Sequence, residues 1–318
     1  MSFKVMLACS DSPDNNPEYF ENLQFPLYAS AKLDGIRMVV KEADQVDFHH
    51  IESEGIVTKR PGFRCRSRTF LDIPNERIQE RFAHLHHMDG ELIHGTEYDH
   101  DVYNRTQSTV MSQDKASDDV IFHVFDYTAP EALHLPFYKR IDIAETILKG
   151  QQYSKIVQQQ LCETVEQVLA YESKMLEMGY EGLILKSPLQ PYKHGRSTYK
   201  QGGMYKLKRS SSIECKVVGL VEQMVNNNEL EQSELGYAKR SESKSGLALA
   251  NTLGAFQVEY NGEVCPVSCG VLTHAQRKEI WDNPLQYIGQ EITIKHFAHG
   301  AKDKLRFPRF VGWRKKGF

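Results

Sequence analysis

Lys32-Leu33-Asp34-Gly35-Ile36-Arg37 puts an amine, a carboxylate and a guanidinium on one short stretch of chain. Four more clusters follow in order: Asp89-Gly90-Glu91, Phe122-His123-Val124-Phe125-Asp126, Glu181-Gly182-Leu183-Ile184-Leu185-Lys186 and Lys206-Leu207-Lys208. A deprotonated lysine can attack phosphorus, and carboxylates can hold sugar hydroxyls or a hard cation. An aromatic ring can carry a base, and paired lysines can hold a phosphate. Any one cluster alone is a weak signal, because lysine, aspartate and glycine are common turn residues. All five, each with strand-like flanks, point to covalent nucleotidyl transfer.

Each residue then takes an expected role. Lys32 is the nucleophile, and Lys206 and Lys208, two apart on a strand, face the same way. Their charge together with burial would lower the Lys32 pKa toward working pH while they hold an α-phosphate. Arg37, three residues past Asp34, can return toward the nucleotide sugar. Phe125 is a candidate platform for adenine, a contact of about 1–3 kcal/mol when stacked. Glu91 and Glu181 suit ribose hydroxyls and Mg²⁺, which prefers carboxylate and phosphate oxygen.

The surrounding pattern predicts the elements that position these groups. Tyr28–Ala31 reads as a strand leading into Lys32, and Arg37–Val40 as one leading out, so the lysine sits on a turn between strands. Asn75 can cap a helix running through His86, and Ile121–Tyr127 reads as a buried strand. Thr164-Val165-Glu166-Gln167 is a capping box opening a helix that Gly179 ends, with a strand at 181–186 next. After Ser210-Ser211-Ser212 the pattern changes to short strands at Ile213–Val221, Ala255–Tyr260, Val264–Val271, Glu291–Phe297 and Phe310–Arg314. A helix capped by Thr273 ends before Pro284. Five strands and one helix predict a small barrel of the oligonucleotide-binding type. The stretch 226–246 is polar, Ser-rich and loop-like.

A chain of 318 residues accommodates two domains with sizeable cores. A net charge of −3 argues against a generally basic surface, so nucleic-acid binding would rest on local patches. The six cysteines are scattered, with no second Cys/His pair to complete a zinc site beside Cys265 and Cys269, and read as reduced structural thiols. No apolar run is long enough for a transmembrane helix, and the first residues are too polar for a signal peptide.

On these motifs the sequence resembles the ATP-dependent DNA ligases, in particular their minimal viral type, over nearly its whole length. The resemblance implies an α+β nucleotidyltransferase domain of antiparallel sheets flanked by helices (ATP-grasp-like) at 1–210, then an OB-fold barrel at 211–318 with a latch-like loop at about 225–246. It assigns adenylylation to Lys32 of K-x-D-G-x-R, the ribose and DNA 5′-phosphate to Arg68 of Ser67-Arg68-Thr69, and a metal-site role to Glu181 of E-G. Glu91 matches the D-G-E glutamate, Phe125 the F-D aromatic, and Lys206 and Lys208 the K-x-K lysines. Gly195-Arg196-Ser197-Thr198 matches a G-R-S-T element, with Arg196 toward the acceptor strand. The last motif matches Arg306-Phe307-Pro308-Arg309-Phe310-Val311-Gly312-Trp313-Arg314, but ends in Lys315-Lys316-Gly317-Phe318, without the usual acidic and basic pair. A second departure is extra chain at about 43–66, which ends in Lys59, Arg60, Arg64, Arg66 and Arg68 and could bind phosphate.

The function implied is sealing of 3′-OH/5′-phosphate nicks in duplex DNA through a lysyl-AMP and then a DNA-adenylate, using ATP and Mg²⁺, by a monomer acting in the cytoplasm, that of the host if viral. DNA contacts would come from Arg68, Arg196, Lys239, Arg240, Lys244, Arg306 and Arg314, with Lys295, Lys302, Lys304, Arg309, Lys315 and Lys316 of the barrel forming a second jaw. An mRNA-capping-type guanylyltransferase and an RNA ligase are the competing readings. A barrel-based DNA-binding module with a dead transferase domain is disfavoured, since no catalytic position is lost. An NAD-dependent ligase is disfavoured because only 31 residues precede Lys32.

Overall fold

A computed structural model describes residues 3–14, 16–49, 57–99, 101–232, 238–241, 243–297 and 305–314; the side chains of 44–49, 57–61, 297 and 306 fall outside the description. The chain divides between Lys208 and Arg209 into two compact units.

The first unit runs through β1 (Leu27–Ala31), β2 (Ile36–His49), β3 (Val57–Ser67), α1 (Glu76–Phe82), β4 (Met88–His94), α2 (Val102–Val110) and β5 (Val120–Tyr127). It continues with α3 (Phe137–Leu148), β6 (Ser154–Ile156), β7 (Gln160–Cys162), α4 (Val165–Glu177), β8 (Leu183–Lys186) and β9 (Met204–Leu207). The strands form two sheets, one in the order β7-β1-β8-β9 and one in the order β3-β2-β4-β5-β6. Both are antiparallel except that β6 pairs parallel to β5.

Period-two alternation decides which way each sheet faces. Leu27, Ala29, Leu183, Leu185, Tyr205 and Leu207 pack one face of the first sheet on Val168 and Met175 of α4. Met38, Val40, Leu92, Phe122 and Val124 pack the second sheet on Ile78 and Phe82 of α1 and Ala144 of α3. Lys32 lies between β1 and β2, and these strands belong to different sheets. The expected turn is therefore a crossing from one sheet to the other. Gly35 permits it: a Cβ there would lie 2.2 Å from the Leu92 carbonyl oxygen of β4.

The ends of α1 and α4 are set by different forces. Asn75 caps α1 by accepting from the Ile78 amide, but the helix stops at Phe82 instead of reaching His86. The chain must turn there, because the His87 amide donates to Val40 of β2 and His87 takes a left-handed φ of 65°. Thr164 caps α4 as expected. Gly179 ends it at φ 101°, where the amides of Gly179 and Tyr180 donate back to Leu176 and Met175. That pair of bonds is a Schellman motif.

The second unit holds β10 (Ser211–Asn226), β11 (Leu230–Gln232), β12 (Ala238–Arg240), β13 (Leu247–Tyr260), β14 (Glu263–Ser268), α5 (His274–Asp282), α6 (Pro284–Tyr287), β15 (Glu291–Phe297) and β16 (Arg306–Trp313). Strands β10-β13-β14-β16-β15 close into a barrel. Its interior is filled by Val217, Phe256, Val258, Val267, Ile292, Ile294 and Phe310. Five strands with α5 between the third and fourth give the oligonucleotide-binding architecture. Within 226–246, read as loop, β11 and β12 pair as a small exposed ribbon. Asn226 and Asn228 close its base by donating to the Ser241 carbonyl at 2.8 and 2.7 Å. The described residues of the extra chain at about 43–66 are the distal part of the β2–β3 pair, in register from Ala43 opposite Gly62 to His49 opposite Val57.

Candidate active site

The faces of the two sheets opposite those packed on the helices line a cavity of about 240 Å³. Glu91 and Phe125 come to it from one sheet and Ile184, Lys186 and Met204 from the other, with Lys32, Arg37 and Arg68 completing the wall. Lys206 lies between Met204 and Lys208 in sequence, so alternation gives it the same side of β9 as the cavity-lining Met204.

Lys32 is held twice by the segment before β8. Its amide donates to the Gly182 carbonyl at 2.8 Å, and its Nζ lies 2.8 Å from Glu181 Oε2. Lys208 Nζ reaches the same oxygen at 2.9 Å. Burial pushes the Glu181 carboxyl up, but the two ammonium groups dominate and hold it at about 2. Burial acts to lower the Lys32 pKa, yet Glu181, Asp34 and Glu91 carry it above the ordinary lysine value. The expected lowering by Lys206 and Lys208 is thus corrected. A shared carboxylate stands between the cations, so Lys32 rests as a paired ammonium.

Glu91 contrasts with Glu181. Burial, opposed by Arg37 and Lys32 and aided by Asp34 and Asp89, raises its carboxyl to about 7. One carboxyl stays ionised at any working pH while the other is poised to share a proton, a division of labour set by environment.

Arg37 lines the cavity, but its donors are committed elsewhere. Nε and Nη2 form a fork on Asp89 at 2.8 and 2.6 Å, and Nη1 donates to the Met6 carbonyl at 2.9 Å. Its guanidinium carbon lies 4.9 Å from the centre of the Phe125 ring. Instead of reaching toward a sugar, the half-buried Arg37 braces the Phe125 ring, with Tyr192 Oη also donating to Asp89 at 3.0 Å.

Arg68 is exposed at the cavity rim, in a tight turn where Phe70 donates back to Ser67. Arg64 and Arg66, read as phosphate binders, instead pair with Asp72 at 3.1 and 3.0 Å. Arg196 is exposed and donates to the Ala8 carbonyl at 2.9 Å, beside the cavity-lining Leu7. In the second unit, Lys239 and Arg240 sit on β12 and Lys244 follows, all exposed; Lys239 faces Glu231 across the ribbon. Arg314 is held by Glu214 at 2.9 Å and Glu291 at 2.6 Å. The Arg306 side chain, Lys302, Lys304, Lys315 and Lys316 lie outside the described residues. Lys295 and Arg309, paired in register, line a barrel groove of about 560 Å³ with Phe307, which is 70% exposed.

The residue most plainly missed is Lys186. It lines the cavity and pairs with Asp126, which also takes a fork from the fully buried Arg140 at 2.8 and 3.1 Å. The signal was present: Lys186 ends the Glu181–Lys186 cluster and shares the cavity face of β8 with Ile184. Because this triad joins the two sheets, Asp126→Ala should destabilise the protein by about 3–5 kcal/mol, leaving two buried cations uncompensated. Burial raises the Asp126 carboxyl, but Lys186 and Arg140 outweigh it and hold it below its ordinary 3.8. Its stabilisation is therefore complete above that value and drains as pH falls. Urea unfolding of wild type and mutant at neutral and acidic pH measures both effects.

Comparison with known proteins places both units of the chain in known domain families. Residues 6–208 match the family model of the ATP dependent DNA ligase domain, and residues 248–314 that of the DNA ligase OB-like domain. Among solved structures, a chlorella virus DNA ligase-adenylate is 26% identical with a TM-score of 0.51, covering 99% of both chains. A Lig E DNA ligase shares the fold at 20% identity and a TM-score of 0.64, over 99% of this chain and 100% of its own. No curated protein sequence matches the chain.

Proposed function

Because the chain belongs to the ATP-dependent DNA ligases, we propose that Lys32 is the residue on which AMP travels from ATP to the 5′-phosphate of a nick. The observation that carries this assignment is the single carboxylate oxygen shared by Lys32 and Lys208 beside the Phe125 cavity. The Lys32 amine forms the new bond to the α-phosphorus as the bond to the bridging oxygen breaks and pyrophosphate leaves. The nick 5′-phosphate oxygen then displaces lysine, and the 3′-hydroxyl displaces AMP. Positioning and electrostatics carry most of the barrier reduction in each step.

Phe125 stacks the adenine, with Arg37 and Asp89 fixing the ring. Glu91 accepts from ribose hydroxyls, Lys206 and Lys208 hold the phosphate, and Arg68 and Arg196 receive the DNA end. Mg²⁺ fits this site, because it takes one or two carboxylates plus substrate phosphate in place of a protein cage. Glu181 and Glu91, the carboxylates that both act on Lys32, would hold the ion. Among the described residues no cluster of three ligating side chains exists. Bound there, Mg²⁺ supplies charge neutralisation at phosphate oxygens. The enzyme acts as a monomer; among the described residues no helix is long and apolar enough to cross a membrane.

The barrel supplies a second DNA surface. Phe307 takes a left-handed φ of 48° while largely exposed, a strained placement on the same groove that Lys295 and Arg309 line. The β11–β12 ribbon, with Lys239, Arg240 and Lys244, closes on the duplex as a latch. Deleting Val225–Ser245 should weaken nicked-duplex affinity and sealing far more than adenylylation. The salt slope should flatten by about 0.9 for each phosphate that the ribbon no longer neutralises. Labelled ATP followed by nicked duplex, titrated across salt, tests the assignment. Equal loss of both steps or an unchanged slope would make the ribbon a connector.

A further inference from the structure

Behind the Lys32 crossing, a second cavity of about 410 Å³ shares Ala31, Leu33 and Val157 with the nucleotide cavity. On its wall stands Glu97, which the chemistry above does not use. Glu97 Oε2 accepts from Tyr180 Oη at 2.7 Å. Its other oxygen pairs with Lys155 of β6 and lies 3.7 Å from Nδ1 of His123 on β5. Lys155 and His123 stand directly opposite each other in register, on the same strand pair that carries Phe125.

Tyr180 immediately precedes Glu181. The segment 179–182 is fixed at its start by the Schellman bonds of α4 and at its end by β9. There Gly182 takes φ 144°, and a Cβ would fall 2.1 Å from the Leu207 oxygen. Between those anchors, the Tyr180 hydroxyl is the side-chain tie next to Glu181. We infer that Glu97 is a positioning residue: through Tyr180 it sets where the Glu181 carboxylate, and so the Lys32 and Lys208 amines, stand relative to the Phe125 wall. A tyrosine phenol, with an ordinary pKa of about 10, is a donor at working pH. Because Glu97 fronts a cavity, shortening it removes little packing, which separates its positioning role from a core role.

This inference rests on Glu181 ordering the two lysines at the α-phosphate, so Glu181→Ala is the reference. Tyr180→Phe, which deletes one hydroxyl and keeps the ring, is compared with Glu97→Ala and Glu97→Gln, whose amide oxygen can still accept from Tyr180. The measurements are single-turnover ligase–AMP formation against ATP concentration, and binding of a non-reacting ATP analogue by calorimetry. Tyr180→Phe is expected to slow the maximal rate about tenfold, with the half-saturating ATP concentration and analogue affinity within twofold of wild type. Glu97→Ala should match it, and Glu97→Gln should recover most of the rate. If Glu97→Ala fails to fold, Tyr180→Phe alone decides. Wild-type rates in Tyr180→Phe, or a defect only in ATP affinity, overturn the inference. If Glu181→Ala itself adenylylates normally, the underlying reading of the site fails instead.

Discussion

Lys32→Ala is expected to abolish formation of the ligase–AMP adduct while leaving sealing of a pre-adenylylated nick partly intact. The amine is needed only where AMP is stored, and the phosphate-binding and base-binding walls survive its removal. Loss of a covalent nucleophile removes the intermediate that splits one hard condensation into easier steps. Adduct formation from labelled ATP and single-turnover sealing of adenylylated DNA separate the two activities. A mutant that still takes label from ATP would disprove the assignment. Lys208→Ala should hurt both assays, because the α-phosphate, for which Lys208 is the proposed partner, persists to the end.

Glu181→Ala is expected to come close to the same result by another route. The carboxylate orders two ammonium groups with bonds of 2.8 and 2.9 Å, and it is the ionised candidate ligand for Mg²⁺. Losing a preorganised electrostatic partner of this kind costs about 10²–10³ in rate. Chelation of divalent cations should stop adduct formation in wild type. The mutant should remain slow at saturating Mg²⁺ with its melting transition retained. Near-normal turnover there would make Glu181 a structural residue.

The distribution of what could be read in advance follows the physics. Strands and caps were legible because alternation and capping chemistry are local: Thr164 and Thr273 cap the helices they were expected to cap. So was the barrel, whose strands bury alternate residues such as Cys215 and Val217, Phe256 and Val258, Cys265 and Val267, and Ile292 and Ile294. The α1 end was not, because a backbone bond from His87 to Val40 on a distant strand overrides helical preference. The cavity residues Lys32, Arg37, Arg68, Glu91 and Phe125 are brought together as the motif order implied. What the motifs could not reveal was pairing. Arg37 commits its fork to Asp89, Arg64 and Arg66 share Asp72, and the Lys32 ammonium is raised instead of lowered. Each of these depends on a carboxylate brought close only by folding.

The grip on Lys32 also has an entropic meaning. A lysine on a surface loop must give up the freedom of its backbone and four side-chain torsions each time it attacks. Here the Gly182 carbonyl fixes the backbone and Glu181 fixes the tip, so most of that freedom is surrendered when the chain folds. Well-oriented groups of this kind behave as if present at effective concentrations of about 10⁵–10⁸ M. The same pairing holds the amine as an ammonium at rest, so a proton must leave Lys32 before its nitrogen can attack.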